Sequence, residues 1–120
     1  MSVPVIKVGN CLIATVTEEI GDADALDLQE SINERIEKTS ATGVLLDISA
    51  VETIDSFLGR LLNEITVGAR LLGADTVVAG MQPAVAMTLV ELGLTLKGIR
   101  CAIDAERGLI MLGHHLNGNH

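Results

Sequence analysis

The pattern of apolar and polar positions along the chain divides it into strand-like and helix-like segments. Residues 3–8 and 11–16 form two short apolar stretches. The dipeptide Gly9-Asn10 separates them and is typical of the tight turn of a β-hairpin. A third run, residues 43–48, is apolar except for Asp47, which is typical of a strand that is covered on both faces of a sheet. The pattern therefore predicts an antiparallel hairpin followed by a buried strand.

Apolar residues spaced three and four positions apart predict two long amphipathic helices. The first covers residues 23–38, and we expect Asp22 or Asp24 to be its N-cap. Its apolar face consists of Ala25, Leu28, Ile32 and Ile36. The second helix covers residues 56–72 and is followed by Gly73, a typical C-terminal cap. Its predicted inward positions are Leu58, Leu61, Leu62, Ile65, Ala69 and Leu72.

The remaining segments continue the alternation of strands and helices. We predict a strand and turn over residues 75–80, a short helix over 82–93, a strand over 99–103 and a final helix to about residue 112. This order predicts a single α/β domain, residues 1–113, with a mixed, mostly parallel sheet, an N-terminal hairpin and about four helices. Residues 114–120 are expected to form a flexible tail.

Charge and composition narrow the classes of partner. Among 120 residues, 16 are acidic and 8 basic, for a net charge of -8. Such a chain repels nucleic acid and anionic lipid, so a basic or mixed-charge protein is the better expected partner. We find no signal peptide and no apolar run near the roughly 20 residues of a membrane helix, and expect a cytoplasmic protein. Cys11 and Cys101 lie far apart in short apolar segments, which indicates reduced core or strand residues.

Motifs for common catalytic chemistry are missing from the sequence. There is no phosphate-binding GxxxxGK[ST] or strand-linked GxGxxG motif. The three histidines, His114, His115 and His120, follow the predicted domain, so Ser-His and Cys-His catalysis are not expected. Asp47 and Asp55 flank the loop of residues 49–54, but no further residue completes a metal or acid–base site there. We therefore expect a non-enzymatic protein without a metal or other cofactor.

The best candidate for a functional residue is Ser56. It stands with Asp55 at the start of the second helix, where free N–H groups and a partial positive charge accommodate a phosphate. The alternative is that Asp55 or Ser56 is simply the N-cap, and the two roles are compatible. Gly59 costs helix propensity and suggests a close approach of another backbone. Arg60 lies one turn beyond Ser56 and is also spaced to pair with Glu64.

These residues also support a family resemblance. The chain resembles the STAS domain of bacterial anti-sigma factor antagonists in Val44-Leu45-Leu46-Asp47-Ile48-Ser49 and Ile54-Asp55-Ser56-Phe57-Leu58-Gly59-Arg60. The later run Gly80-Met81-Gln82-Pro83-Ala84-Val85, with Leu89 and Gly93, is similar to the fourth strand and third helix of that family. The Asp-Ser-Phe-x-Gly-Arg form is most similar to the RsbS type, a single-domain scaffold of the stressosome.

The resemblance implies a function that composition and spacing do not show. Proteins of this type assemble with sensor-bearing STAS paralogues into a large cytoplasmic complex that sequesters a switch serine kinase. The kinase phosphorylates the serine that matches Ser56 and is released, and a phosphatase resets the serine. ATP and magnesium belong to the kinase. Asp55, Gly59 and Arg60 are candidate partner-binding residues, and we expect self-association as a dimer. The alternatives are a small sporulation-type antagonist and a nucleotide-binding STAS module.

Overall fold

Strands and helices alternate after an opening hairpin. The computed structural model describes residues 3–94 and 99–113. Within this part the strands are β1 (Val5–Val8), β2 (Cys11–Thr15), β3 (Gly43–Asp47), β4 (Asp75–Ala79) and β5 (Arg100–Ala102). The helices are α1 (Asp22–Thr39), α2 (Ser56–Leu71), α3 (Pro83–Glu91) and α4 (Ala105–Met111).

The five strands form one mixed sheet in the order β1-β2-β3-β4-β5. β1 pairs with β2 in antiparallel fashion, and Gly9 takes a positive φ of 59° in the turn between them. The pairs β2–β3, β3–β4 and β4–β5 are all parallel. The predicted α/β class, the hairpin and the mostly parallel sheet are confirmed.

The strand order explains why the two faces of the sheet are covered unequally. Because parallel crossovers are right-handed, sequential strands place their connecting helices on the same face. Side chains of α1, α2 and α3 accordingly share one core with alternate residues of β3, Val44 and Leu46. On the other face, Leu109 of α4 packs with Leu45 and Val77. β3 is thus buried on both sides up to Asp47, as its apolar run predicts.

Two predictions about the helix ends are wrong. α1 has Gly21 as its N-cap, without a side-chain cap, so neither Asp22 nor Asp24 fills that position. Both aspartates lie in the first turn, where a negative charge still suits the helix dipole. Leu72 is not an inward residue of α2. The helix ends at Leu71, the chain turns through Gly73 at a φ of 93°, and Leu72 is 39% exposed.

The two cysteines differ in their surroundings. Cys11 is buried in the core beneath α4, and burial raises the pKa of its thiol. Cys101 is exposed on β5, the edge strand of the sheet, so its expected place in a strand is confirmed but a place in the core is not. The histidines of the predicted tail lie outside the described residues.

Candidate functional site

Ser56 is the first residue of α2, and Asp55 is the N-cap. The Asp55 carboxylate accepts a hydrogen bond from the Leu58 N–H at 2.9 Å, which supplies a partner for one of the free donors at the helix start. Ser56 is half-buried, and its hydroxyl makes no hydrogen bond with another described residue. Of the two capping candidates, Asp55 therefore caps the helix, and the Ser56 hydroxyl is not needed for that role.

The loop that leads to Ser56 is fixed at its start by the connection between β4 and α3. The Gln82 side-chain amide donates to the Ser49 carbonyl at 2.9 Å. Gly80 lies against the same residue, because a Cβ on Gly80 would stand 2.7 Å from the Ser49 Cβ. Gly80 also has a φ of 79°, in the left-handed region that favours glycine. A side chain at this position would therefore displace the start of the loop.

The same loop is fixed near its end by Glu18, from the connection between β2 and α1. One oxygen of the Glu18 carboxylate accepts from the backbone N–H groups of Glu52 and Thr53, each at 3.0 Å. The Thr53 hydroxyl donates to it at 3.3 Å. These hydrogen bonds, first those from the Thr53 and Glu52 backbone, lower the pKa of Glu18 below its ordinary value. We call this set of contacts the Glu18 clamp.

The loop is also anchored to the core by its apolar side chains. Ile48, Val51 and Ile54 are buried, while Glu52 and Thr53 remain exposed between them. Within the loop, Asp47 accepts a hydrogen bond from the Ser49 N–H at 3.0 Å. The approach to Ser56 is therefore a folded segment with an acidic, solvent-facing outer side.

Arg60 lies one turn after Ser56 on the exposed side of α2, since residues four apart share a helix face. It forms no hydrogen bond or ion pair with the rest of the described chain. The expected pair with Glu64 is not formed; Glu64 instead accepts a hydrogen bond from the Gln29 side chain at 2.9 Å. Arg60 and Phe57 line an open cavity of about 250 Å³ between α1 and α2. The guanidinium group is available to a partner or to a phosphate.

Gly59 is buried within the fold. A Cβ at this position would lie 2.6 Å from Leu94 Cδ1 and 3.1 Å from Leu89 Cδ2. The predicted close approach of another backbone is wrong, because the atoms nearest to this position belong to the side chains of Leu94 and Leu89. Gly59 thus lets the residues of α3 and its C-terminal turn pack against the first turns of α2.

The described residues form neither a metal-binding cluster nor a membrane-spanning helix. Across residues 3–94 and 99–113, no group of three or more His, Cys, Asp and Glu side chains is placed to hold a metal ion. Asp47 and Asp55 instead each accept a backbone N–H of their own segment. In the same residues, no helix combines the length and the apolar character needed to cross a membrane.

Comparison with known proteins assigns the chain to one family. The model of the STAS domain matches residues 2–101, and the chain belongs to the STAS domain family. Among curated relatives, the chain is 28% identical to the RsbT co-antagonist protein RsbRA and 27% identical to RsbRD, both of Bacillus subtilis, with 94% of the chain covered in each case. It covers only 46% and 41% of those two proteins, so it spans less than half of their length.

Solved structures extend the comparison. The chain is 38% identical to a serine-to-glutamate variant of RsbS from Moorella thermoacetica, with a TM-score of 0.80 over 92% of this chain and 94% of that one. A chain of the stressosome, described as a signal integration and transduction hub, is 37% identical with a TM-score of 0.81, over 92% of this chain and 96% of that one. The unphosphorylated anti-sigma factor antagonist SpoIIAA shares the fold, with a TM-score of 0.71 at 14% identity.

Proposed function

We propose that this protein is an RsbS-like, non-catalytic scaffold of a stressosome. In this role it binds a switch serine kinase over the surface around Ser56 and releases the kinase once Ser56 is phosphorylated. The identity to RsbS and to a stressosome chain supports the scaffold role, since each alignment covers more than nine-tenths of both chains. We also propose that the STAS domain comprises residues 1–113.

The observation that carries the proposal is that no described residue bonds the hydroxyl of Ser56, at a helix start that Asp55 already caps. Asp55 accepts the Leu58 N–H, so modification of Ser56 removes no hydrogen bond that the described fold uses. The helix dipole also stabilises an anion at the helix N-terminus by about 0.3–1 kcal/mol. A phosphate on Ser56 is therefore compatible with an intact domain.

The effect of that phosphate on a docked kinase is electrostatic. Phosphorylation adds a charge of about -1.5 to -2 at neutral pH. The new charge falls beside the Asp55 carboxylate and the exposed, acidic side of the loop that includes Glu52. A partner that is complementary to the unmodified surface then meets a dense negative patch, and like-charge juxtaposition at an interface costs several kcal/mol. Arg60 is the nearest cation along α2 and offsets part of this charge.

The proposed partners follow from the relatives. RsbRA and RsbRD are about twice as long as this chain and match it over a part of their length, which supports co-assembly with longer, sensor-bearing STAS paralogues. Their names describe them as co-antagonists of RsbT, so an RsbT-type protein is the first kinase to test. A phosphatase that acts on Ser56, and dimerisation of the isolated chain, complete the proposal.

Kinase binding to three forms of the protein tests the switch. We expect wild type and Ser56→Ala to retain the kinase and Ser56→Asp to bind it at least tenfold more weakly, with little change in melting temperature. Ser49→Asp is the matched control, since it adds the same charge to an exposed serine of the same loop. Equal binding by Ser56→Asp and wild type would contradict the proposed release mechanism.

Particle size and nucleotide binding separate the alternatives. Light scattering of the protein mixed with its STAS paralogue is expected to show a particle far larger than a dimer. A particle no larger than a dimer would favour the small sporulation-type antagonist. Isothermal titration with ATP and GTP is expected to give no heat of binding, and a measurable heat would favour the nucleotide-binding module.

A further inference from the structure

We propose that Glu18 is a positioning residue for the phosphorylation of Ser56. The Glu18 clamp ties the β2–α1 connection to the segment that precedes Ser56, and so sets the conformation in which the serine is presented to the kinase. This inference rests on the proposed function. Glu18, which lies 38 positions before Ser56 in the sequence, thereby becomes part of the phosphorylation site.

The geometry shows a clamp with several contacts rather than one chance contact. Three donors, two of them consecutive backbone N–H groups, converge on the same Glu18 oxygen at 3.0, 3.0 and 3.3 Å. Hydrogen bonds to an ionised carboxylate are stronger than bonds between neutral groups. Thr53 and Glu52 belong to the exposed stretch between the buried anchors Val51 and Ile54. Without Glu18, those two N–H groups have no partner in the described chain, and the stretch is held only at its two ends.

The position of the clamp explains how it acts on Ser56. Thr53 precedes the helix cap Asp55 by two residues, and Glu18, Thr53, Asp55 and Leu58 line one open cavity of about 360 Å³ beside the start of α2. A kinase that docks on this side contacts the loop and the helix start together. The kinase therefore recognises a segment whose exposed backbone is held in place by hydrogen bonds to Glu18.

The matched control is Glu19. It is the next residue, it is also an exposed glutamate, and it makes no hydrogen bond or ion pair with the described residues. Glu18→Ala and Glu19→Ala change the net charge equally. Any difference between them therefore reports the clamp rather than the overall charge. Glu18→Gln adds a conservative variant, because its amide oxygen still accepts hydrogen bonds without the negative charge.

Two measurements on the full chain test the inference. Amide hydrogen exchange, followed by NMR, is expected to be about tenfold faster at Glu52 and Thr53 in Glu18→Ala, close to wild type in Glu19→Ala and intermediate in Glu18→Gln. The kcat/KM of the cognate switch kinase for Ser56, measured with ATP and Mg²⁺, is expected to fall about threefold or more in Glu18→Ala and to be partly restored in Glu18→Gln. The Glu18 and Glu19 variants should all unfold in one cooperative transition above the assay temperature, with Glu18→Ala melting below Glu19→Ala because its clamp is lost.

The outcomes separate this inference from the proposed function. Unchanged exchange at Glu52 and Thr53 in Glu18→Ala would overturn the clamp. Faster exchange with an unchanged kcat/KM would overturn the positioning role while leaving the proposed function intact. A wild-type protein that the kinase does not modify at Ser56 would overturn the proposed function, and the positioning role with it.

Discussion

Replacement of Asp55 by alanine separates the structural role of the helix start from its proposed signalling role. In the structure the carboxylate of Asp55 accepts the Leu58 N–H at 2.9 Å, whereas the neighbouring Ser56 side chain makes no such bond within the described residues. Asp55→Ala removes the cap and leaves that N–H without its partner. Ser56→Ala removes no side-chain hydrogen bond within the described residues.

The expected size of the effect follows from the capping bond. Loss of an aspartate N-cap costs about 1 kcal/mol, within a range of about 0.5–2 kcal/mol. For a domain of 120 residues, 1 kcal/mol lowers the melting temperature by roughly 4 °C. Ser56→Ala is expected to change it by less than about 1 °C, because alanine has the highest helix propensity. Thermal and urea denaturation of both variants provide the measurement.

The chain contains its own control for the capping effect. Asp104 caps α4 by accepting the Arg107 N–H at the same distance, 2.9 Å, on a helix that packs against the opposite face of the sheet. Asp104 also pairs with the Arg107 guanidinium at 2.8 Å, so Asp104→Ala should lower stability by at least as much as Asp55→Ala, and it should leave phosphorylation of Ser56 unchanged. If instead Ser56→Ala destabilised the protein as much as Asp55→Ala was expected to, the serine would be the cap and the division of roles would be wrong.

Three further predictions concern the loop and the cysteines. Gly80→Ala should cost about 1–3 kcal/mol in urea unfolding, since alanine is strained at a φ of 79° and its Cβ would overlap Ser49; an unchanged midpoint would refute the close packing. Hydrogen bonds from the loop lower the pKa of the Glu18 carboxyl below its ordinary value of 4.5, so the Glu18 clamp should be fully formed at neutral pH and lost as the pH falls through the lowered pKa. The NMR shifts of the Glu52 and Thr53 amides should follow this loss, and a midpoint above pH 4.5 would contradict the prediction. A maleimide should label exposed Cys101 and spare buried Cys11 in the native protein, as mass spectrometry would show; equal labelling would contradict the fold.

Much of the fold was predictable because its sequence patterns are strong and local. The Gly9-Asn10 turn, the apolar run that forms β3 and the apolar stripe of α1 each depend on neighbouring residues, and all three are confirmed. Leu72 shows the limit of such patterns. It continues the apolar spacing of α2, but the backbone leaves the helix before Gly73 and the side chain turns to solvent.

The candidate site was predictable only in part, because its contacts join distant segments. Asp55 and Ser56 are both common N-caps, so residue type did not distinguish them, and the hydrogen bond to Leu58 does. No sequence pattern indicated that Glu18 contacts the loop, because it is a solvent-exposed residue in a polar connector and its partners lie 34 and 35 positions away. The tie between Gln82 and Ser49 was likewise not predictable, since it requires β3 and β4 to be paired first.

The central claim is that Ser56 is the residue at which a kinase acts. Incubation of the protein with its switch kinase, ATP and Mg²⁺, followed by tandem mass spectrometry, tests it most directly. The account predicts one phosphate, located on Ser56, and none in the Ser56→Ala variant. Phosphate on Ser49 or Thr53, or continued modification of Ser56→Ala, would contradict it.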